Sequence, residues 1–176
     1  ALRTHDLAKY CKDNKVKAVG LCDSNNLCGA LEFSELIAKS KTQPIIGIQI
    51  NIKYKNLIGK IPLFAKDLAG YKNLIKLSSK SFLEIKDNEE PHCIIKDVEE
   101  NFNGLILLSG CIDGLIGKLF SKNLTDEILL IFHKFRNIFK DNFYIEIQRH
   151  EDEGEKAFED FLINTSEKLS LPLIAT

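Results

Sequence analysis

Five positions carry side chains that could do chemistry and fall where a chain of alternating strands and helices would gather them. Asp23 follows one apolar run, Gln49 closes a second, and Lys60 opens an irregular third. Cys111 follows Gly104–Ser109, and His150 follows Phe143–Gln148. Carboxylate, thiol and imidazole are divalent-metal ligands and proton carriers. Lysine and glutamine pull the other way, because a protonated ammonium repels a cation and a carboxamide offers one weak neutral oxygen. Hydrolases that cleave phosphate esters with two or three ions gather several carboxylates and imidazoles. This set falls short of that number, so no metal and no catalytic residue is expected. Glu146, Gln148 and His150 are spaced by two and share one face if their strand runs that far. Plainer roles stay open. Asp23 can start a turn or cap a helix, Cys111 can be a buried thiol, and His150 can be a surface histidine. Gln49 on an apolar strand needs partners. His5, His92 and His133 form no constellation.

The elements that must position these residues read as an α/β alternation. Residues 4–14 have helical spacing behind a Thr4 cap, and Lys17–Cys22 reads as a buried strand closed by Asp23-Ser24-Asn25-Asn26. Residues 27–40 are amphipathic, with Leu27, Ala30, Leu31, Phe33, Leu36 and Ile37 inward. Pro44–Ile52 is a strand, a turn covers Asn56–Gly59, and Ile61–Ala65 is a strand that Pro62 relegates to an edge or irregular position. Gly70–Leu83 is a helix with Leu74, Ile75, Leu77 and Phe82 inward, and 84–93 is a charged connector before a short helix at Ile94–Glu100. Gly104–Ser109 is a strand covered on both faces. Helices at Leu115–Phe120, Asp126–Phe139 and Gly154–Leu169 surround strands at Phe143–Gln148 and Leu171–Ala175. Six acidic residues between Glu151 and Asp160 sit where a helix N-terminus favours them. The pattern predicts a largely parallel, barrel-like sheet, whose ligands lie beyond the carboxyl ends of the strands. No glycine-rich phosphate loop follows a strand, so dinucleotide binding has little support.

Composition narrows the classes further. The 176 residues suit one domain, and 24 basic against 25 acidic side chains exclude a strongly cationic, nucleic-acid-binding surface. No apolar run is long enough to span a bilayer. Five cysteines without a C-x-x-C pair fit reduced thiols in the cytoplasm. The absence of methionine reads as a cut point at Ala1 inside a longer polypeptide, and Leu171–Thr176 reads as a strand that stops where a loop should follow.

The ordered blocks resemble a known family. Leu21-Cys22-Asp23-Ser24-Asn25-Asn26-Leu27-Cys28-Gly29-Ala30 is similar to the T-D-x-x-N-L-x-G block of the polymerase and histidinol phosphatase (PHP) domain, in the form that opens the alpha subunit of bacterial DNA polymerase III. Gln43-Pro44-Ile45-Ile46-Gly47-Ile48-Gln49 resembles its K-P-I-I-G-x-E strand, and residues 70–79 its G-Y-x-N-L-x-x-L-x-S helix. Residues 104–111, 144–150 and 172–176 resemble three further blocks. The resemblance implies a distorted seven-stranded β/α barrel, with residues 1–176 as one incomplete PHP domain. The first strand with its H-x-H motif and a C-terminal Asp–His motif would lie outside it. Asp23, Cys111 and His150 match metal-binding positions of active relatives. An expected histidine is Ser24, an expected acid is Gln49, and a histidine that opens the next strand aligns with Lys60.

That pattern implies a cytoplasmic, metal-free, structural and protein-docking module of a replicative DNA polymerase. The parent chain would use Mg in another domain and contact DNA there. The implied partners are the rest of that chain and the proofreading exonuclease subunit, with no membrane. The rival from another class is an active Zn- or Mn-dependent phosphoesterase or 3′–5′ proofreading exonuclease. A free-standing sugar- or nucleotide-binding domain is a third, weaker reading.

Overall fold

The structure is a computed structural model that describes residues 3–86, 88–150 and 153–176. Helix α1 (Thr4–Asp13) has Arg3, not Thr4, at its N-cap position, and no side chain caps it. Strand β1 (Ala18–Ser24) runs on through Asp23 and Ser24, which were expected to end it, and it is half-exposed rather than buried. Helix α2 (Ala30–Lys39) buries Phe33 and Ile37, but Leu31 is 72% exposed, against the expected stripe. Strands β2 (Gln43–Tyr54) and β3 (Leu57–Ala65) form a hairpin that turns at Lys55 and Asn56. Helix α3 (Leu68–Leu83) starts at Asp67, whose carboxylate accepts from Gly70 N–H at 2.9 Å. Gly70 is required there, because a Cβ would overlap the Gly104 carbonyl. Leu74 and Leu77 are buried as expected, whereas Ile75 and Phe82 face out.

The charged connector hides a two-residue strand, β4 (Cys93–Ile94), too short to leave a periodic signal, ahead of α4 (Ile95–Glu100). Strand β5 (Leu105–Leu108), helix α5 (Leu115–Phe120) and helix α6 (Thr125–Phe139) follow. Strand β6 (Phe143–Ile147), helix α7 (Glu155–Leu169) and strand β7 (Leu173–Ala175) complete the order. Of the acidic run before α7, Glu151 and Asp152 lie outside the described residues, as does Ala1; Glu155 occupies the helix's first turn.

The seven strands form a curled half-barrel sheet in the order β1-β2-β3-β5-β6-β7, with β4 beside β2. Its flanks are parallel, but β3 runs antiparallel to both β2 and β5, so the centre is mixed rather than parallel. Pro62 therefore sits in a central strand, opposite Gln49, and not at an edge. It is tolerated because the β3–β5 ladder begins at Leu63, one residue beyond it. The main core lies between the sheet and α3, α5, α6 and α7, with Ile48, Ile50, Leu63, Leu107, Phe132 and Phe143 fully buried. A smaller cluster of Cys11, Phe33 and Ile37 seats α1 and α2 on β1 and β2.

Candidate functional site

A cleft of about 470 Å³ opens beside the middle of the sheet, and Gln49, Asn51, Lys60, Cys111, Glu146 and Gln148 line it. The hairpin delivers two of these. Gln49 lies mid-strand in β2 rather than closing it, and Lys60 is the fourth residue of β3, paired with Asn51. The exposed Lys60 ammonium donates to Ser24 Oγ at 3.0 Å, which ties β3 to the end of β1. Ser24 also stands opposite Gln49 where β1 pairs with β2.

Asp23 is committed elsewhere. Its Oδ2 accepts from Gly29 N–H at 3.3 Å at the N-cap position of α2, where an exposed helix donor needs an acceptor. Cys111 is half-buried after Gly110, whose φ of +84° turns the chain out of β5 toward the cleft. His150 is exposed, and its backbone N–H donates to the Glu155 carboxylate at 2.9 and 3.0 Å. Strand β6 ends at Ile147, so the expected three-residue face breaks before His150. Gln148 still reaches Glu146 at 2.8 Å.

Glu146 is the residue whose burial the spacing alone could not reveal. It is 4% exposed, and its Oε1 accepts from Gln148 Nε2 and from the Thr176 hydroxyl. Its Oε2 is buried without a partner among the described residues. A buried carboxylate oxygen left so is costly. Its backbone N–H donates to the buried Ser109 hydroxyl at 2.9 Å, which joins β6 to the end of β5. Cys22 stands close by: burial first, then the carboxylates of Glu146 and Asp23, push its thiol up to about 12. At neutral pH it is a neutral thiol and no nucleophile.

Asn25 organises the cleft wall and carried no sequence signal beyond a turn. At φ +56°, its side-chain oxygen accepts from Asn51 N–H at 2.8 Å, its N–H donates to the Gln49 carbonyl at 2.9 Å, and its carbonyl accepts from Ser78 Oγ at 3.0 Å. Asn51 in turn donates to Glu90 and to the Pro91 carbonyl at 2.8 and 3.0 Å, which pins the 84–93 connector to the cleft rim. The site is a web of carboxamides with two ammonium groups, Lys60 and Lys118, and three acids, Glu90, Asp113 and Glu146, the last of which keeps one oxygen without a partner among the described residues. Among the described residues, no group of three or more His, Cys, Asp or Glu side chains is arranged to hold a metal ion.

Comparison with known proteins gives three findings. The family model described as PHP domain matches residues 1–150. DNA polymerase III subunit alpha of Rickettsia felis is 38% identical over 177 aligned residues, covering 100% of this chain and 15% of that protein. The subunit of the same name from Caulobacter vibrioides is 35% identical over 100% of this chain and 16% of its own length. The chain therefore spans about 15% of the length of the relatives it matches. Among solved structures, a candidate metal-dependent phosphoesterase from Bifidobacterium adolescentis superimposes with a TM-score of 0.54 at 8% identity, covering 99% of this chain and 81% of that one. That likeness bears on the fold alone.

Proposed function

The chain belongs to the PHP domain family, and from that premise we propose that it is the PHP module of a bacterial replicative DNA polymerase alpha subunit, bracing that polymerase without holding metal ions of its own. The longer chain extends DNA from deoxynucleoside triphosphates with Mg held by carboxylates in another domain. Its partners here are the rest of that chain and the proofreading exonuclease subunit, and DNA is contacted mainly elsewhere. Identity of 35–38% along the whole chain supports the polymerase reading.

The metal-free part is carried by one observation: the Lys60 ammonium sits at the mouth of the cleft, hydrogen-bonded to Ser24 and beside Gln49. Three positions where family ligands are expected hold an ammonium, a hydroxyl and a carboxamide. The ammonium supplies in place the positive charge that an ion would bring, and it repels an incoming one. Metal analysis of the full-length protein is expected to find Zn and Mn well below one equivalent at this site. The triple variant Ser24→His, Gln49→Glu, Lys60→His should gain bound metal, and no gain would count against a pocket that is merely disarmed.

The buried, half-satisfied Glu146 with Cys111 nearby favours a second reading. In it the cleft works as a Zn- or Mn-dependent phosphoesterase or 3′–5′ exonuclease. Tightly held ions together with phosphodiester turnover, both lost in Glu146→Gln, would establish it over the first.

A further inference from the structure

Helix α3 has two apolar faces, and the fold uses one. Gly70, Leu74, Leu77 and Ser81 are buried against the sheet. Leu68, Ile75 and Phe82 are 68%, 44% and 52% exposed, and Leu83 next to them is 81% exposed. The three recur every seven residues. At about 100° per residue they form a stripe roughly 130° around the helix from the buried one, about 21 Å long. α3 lies over β2, β3, β4 and β5, in the middle of the sheet and away from the edge strands β1 and β7.

Charge borders the stripe on one side. Lys72 and Lys76 are exposed, one turn apart, and without an ion-pair partner among the described residues. Lys80 on the same helix is held by Asp97 and Glu84. The first turn of α3 contains no acid. Two like charges at i and i+4 repel each other, and no ion pair among the described residues relieves them.

We infer that the outer face of α3 is a docking surface for an acidic amphipathic helix supplied by the same polypeptide from outside residues 1–176. The inference rests on the reading of this domain as one module of a longer chain. A heptad-spaced stripe is the seam against which a second helix packs at a shallow angle. The free lysines select a partner with Asp or Glu along its flank. Relatives carry this region as 15% of their length, so most of such a chain is tethered nearby at an effective concentration of order millimolar. A second copy fits poorly. Antiparallel pairing of two α3 helices would centre between Ile75 and Lys76, bringing Lys72 and Lys76 of one copy toward those of the other.

The test uses the full-length protein with a zero-length carbodiimide cross-linker, read by mass spectrometry. Lys72 and Lys76 are expected to join Asp or Glu residues outside 1–176 of the same molecule, with a yield independent of protein concentration. Ile75→Asp with Phe82→Asp, both solvent-facing here, should cut that yield at least tenfold while the circular dichroism spectrum is unchanged. Lys72→Glu with Lys76→Glu leaves the stripe intact, and should raise hydroxyl-radical labelling of Phe82 at least threefold. Cross-links confined to residues 1–176, or joining two molecules with a yield that climbs with concentration, would overturn the proposal. So would Phe82 labelling in the wild type as heavy as in the charge-reversed variant. Templated DNA synthesis, measured on the same preparation, separates the two levels: its absence defeats the polymerase reading, whereas an active polymerase without these cross-links defeats the docking face alone.

Discussion

Around α6, β5 and β6, Phe143 meets Phe132 and Phe135 edge to face at 5.4 and 5.7 Å, and Phe139 joins Phe135 at 6.3 Å, with no polar atom of those rings to satisfy. At the cleft between β2, β3 and β6 the side chains include carboxamides, two ammonium groups, a thiol and three carboxylates, and one oxygen of Glu146 has no partner among the described residues. The first region draws its stability from close packing, where every removed atom leaves a void. In the second, burial works against the groups present, so removing a charge can help. The same sheet supports both because β6 contributes Phe143 and Ile145 to the core and Glu146 to the cleft from successive positions.

Substitutions can break or sharpen that contrast. Phe132→Ala should be the most damaging, at about 3–5 kcal/mol, read as a lower urea midpoint with little change in slope. A loss below about 1 kcal/mol would mean that the aromatic cluster is not the tight region described. Glu146→Gln should go the other way and stabilise by about 1–3 kcal/mol, because it removes a buried charge whose second oxygen is unsatisfied. Destabilisation of that size by the same change would show that the carboxylate is paired in solution. Asp23→Ala should cost about 1 kcal/mol through the lost acceptor at the start of α2, with Asp23→Asn recovering most of it in thermal melts.

The smallest effect is one of pH. The Cys22 thiol ionises near 8.5 in the unfolded chain and at about 12 in the fold. The unfolded state therefore loses its proton first, and stability falls as pH rises from about 8.5 toward about 12. At pH 9 the fall is about 0.8 kcal/mol. Cys22→Ala should flatten this alkaline limb. At pH 8.5, iodoacetamide should label exposed Cys28 at least tenfold faster than Cys22, and equal rates would contradict the burial.

Much of the packed half was legible in the sequence. The unbroken run at Leu105–Leu108 and the 3.6-residue spacing in α6 depend on burial, and burial writes itself into residue type. The cleft half was legible only in part. Gln49, Lys60 and Cys111 do come together, but Gln49 was placed at a strand end and Lys60 at a strand start, because β2 and β3 extend beyond their apolar stretches. His150 was drawn in by its two-residue spacing, which counts only while a strand continues. Asp23 shows the reverse: the cap role open to it is the one its carboxylate takes. Of the edge or irregular position expected for Pro62 the structure excludes the edge, and it turns Ile75 and Phe82 outward, because local patterns do not say where a ladder stops or how many faces of a helix are covered.

Strand β7 hangs on the sheet by three residue pairs with β6, and all three of its residues are exposed. Parting β7 from β6 would also part Glu146 from the Thr176 hydroxyl and open a path for solvent to its Oε2, which has no partner among the described residues. The Thr176 hydroxyl, one residue beyond β7, thus joins the buried acid of the cleft to that last ladder of the sheet.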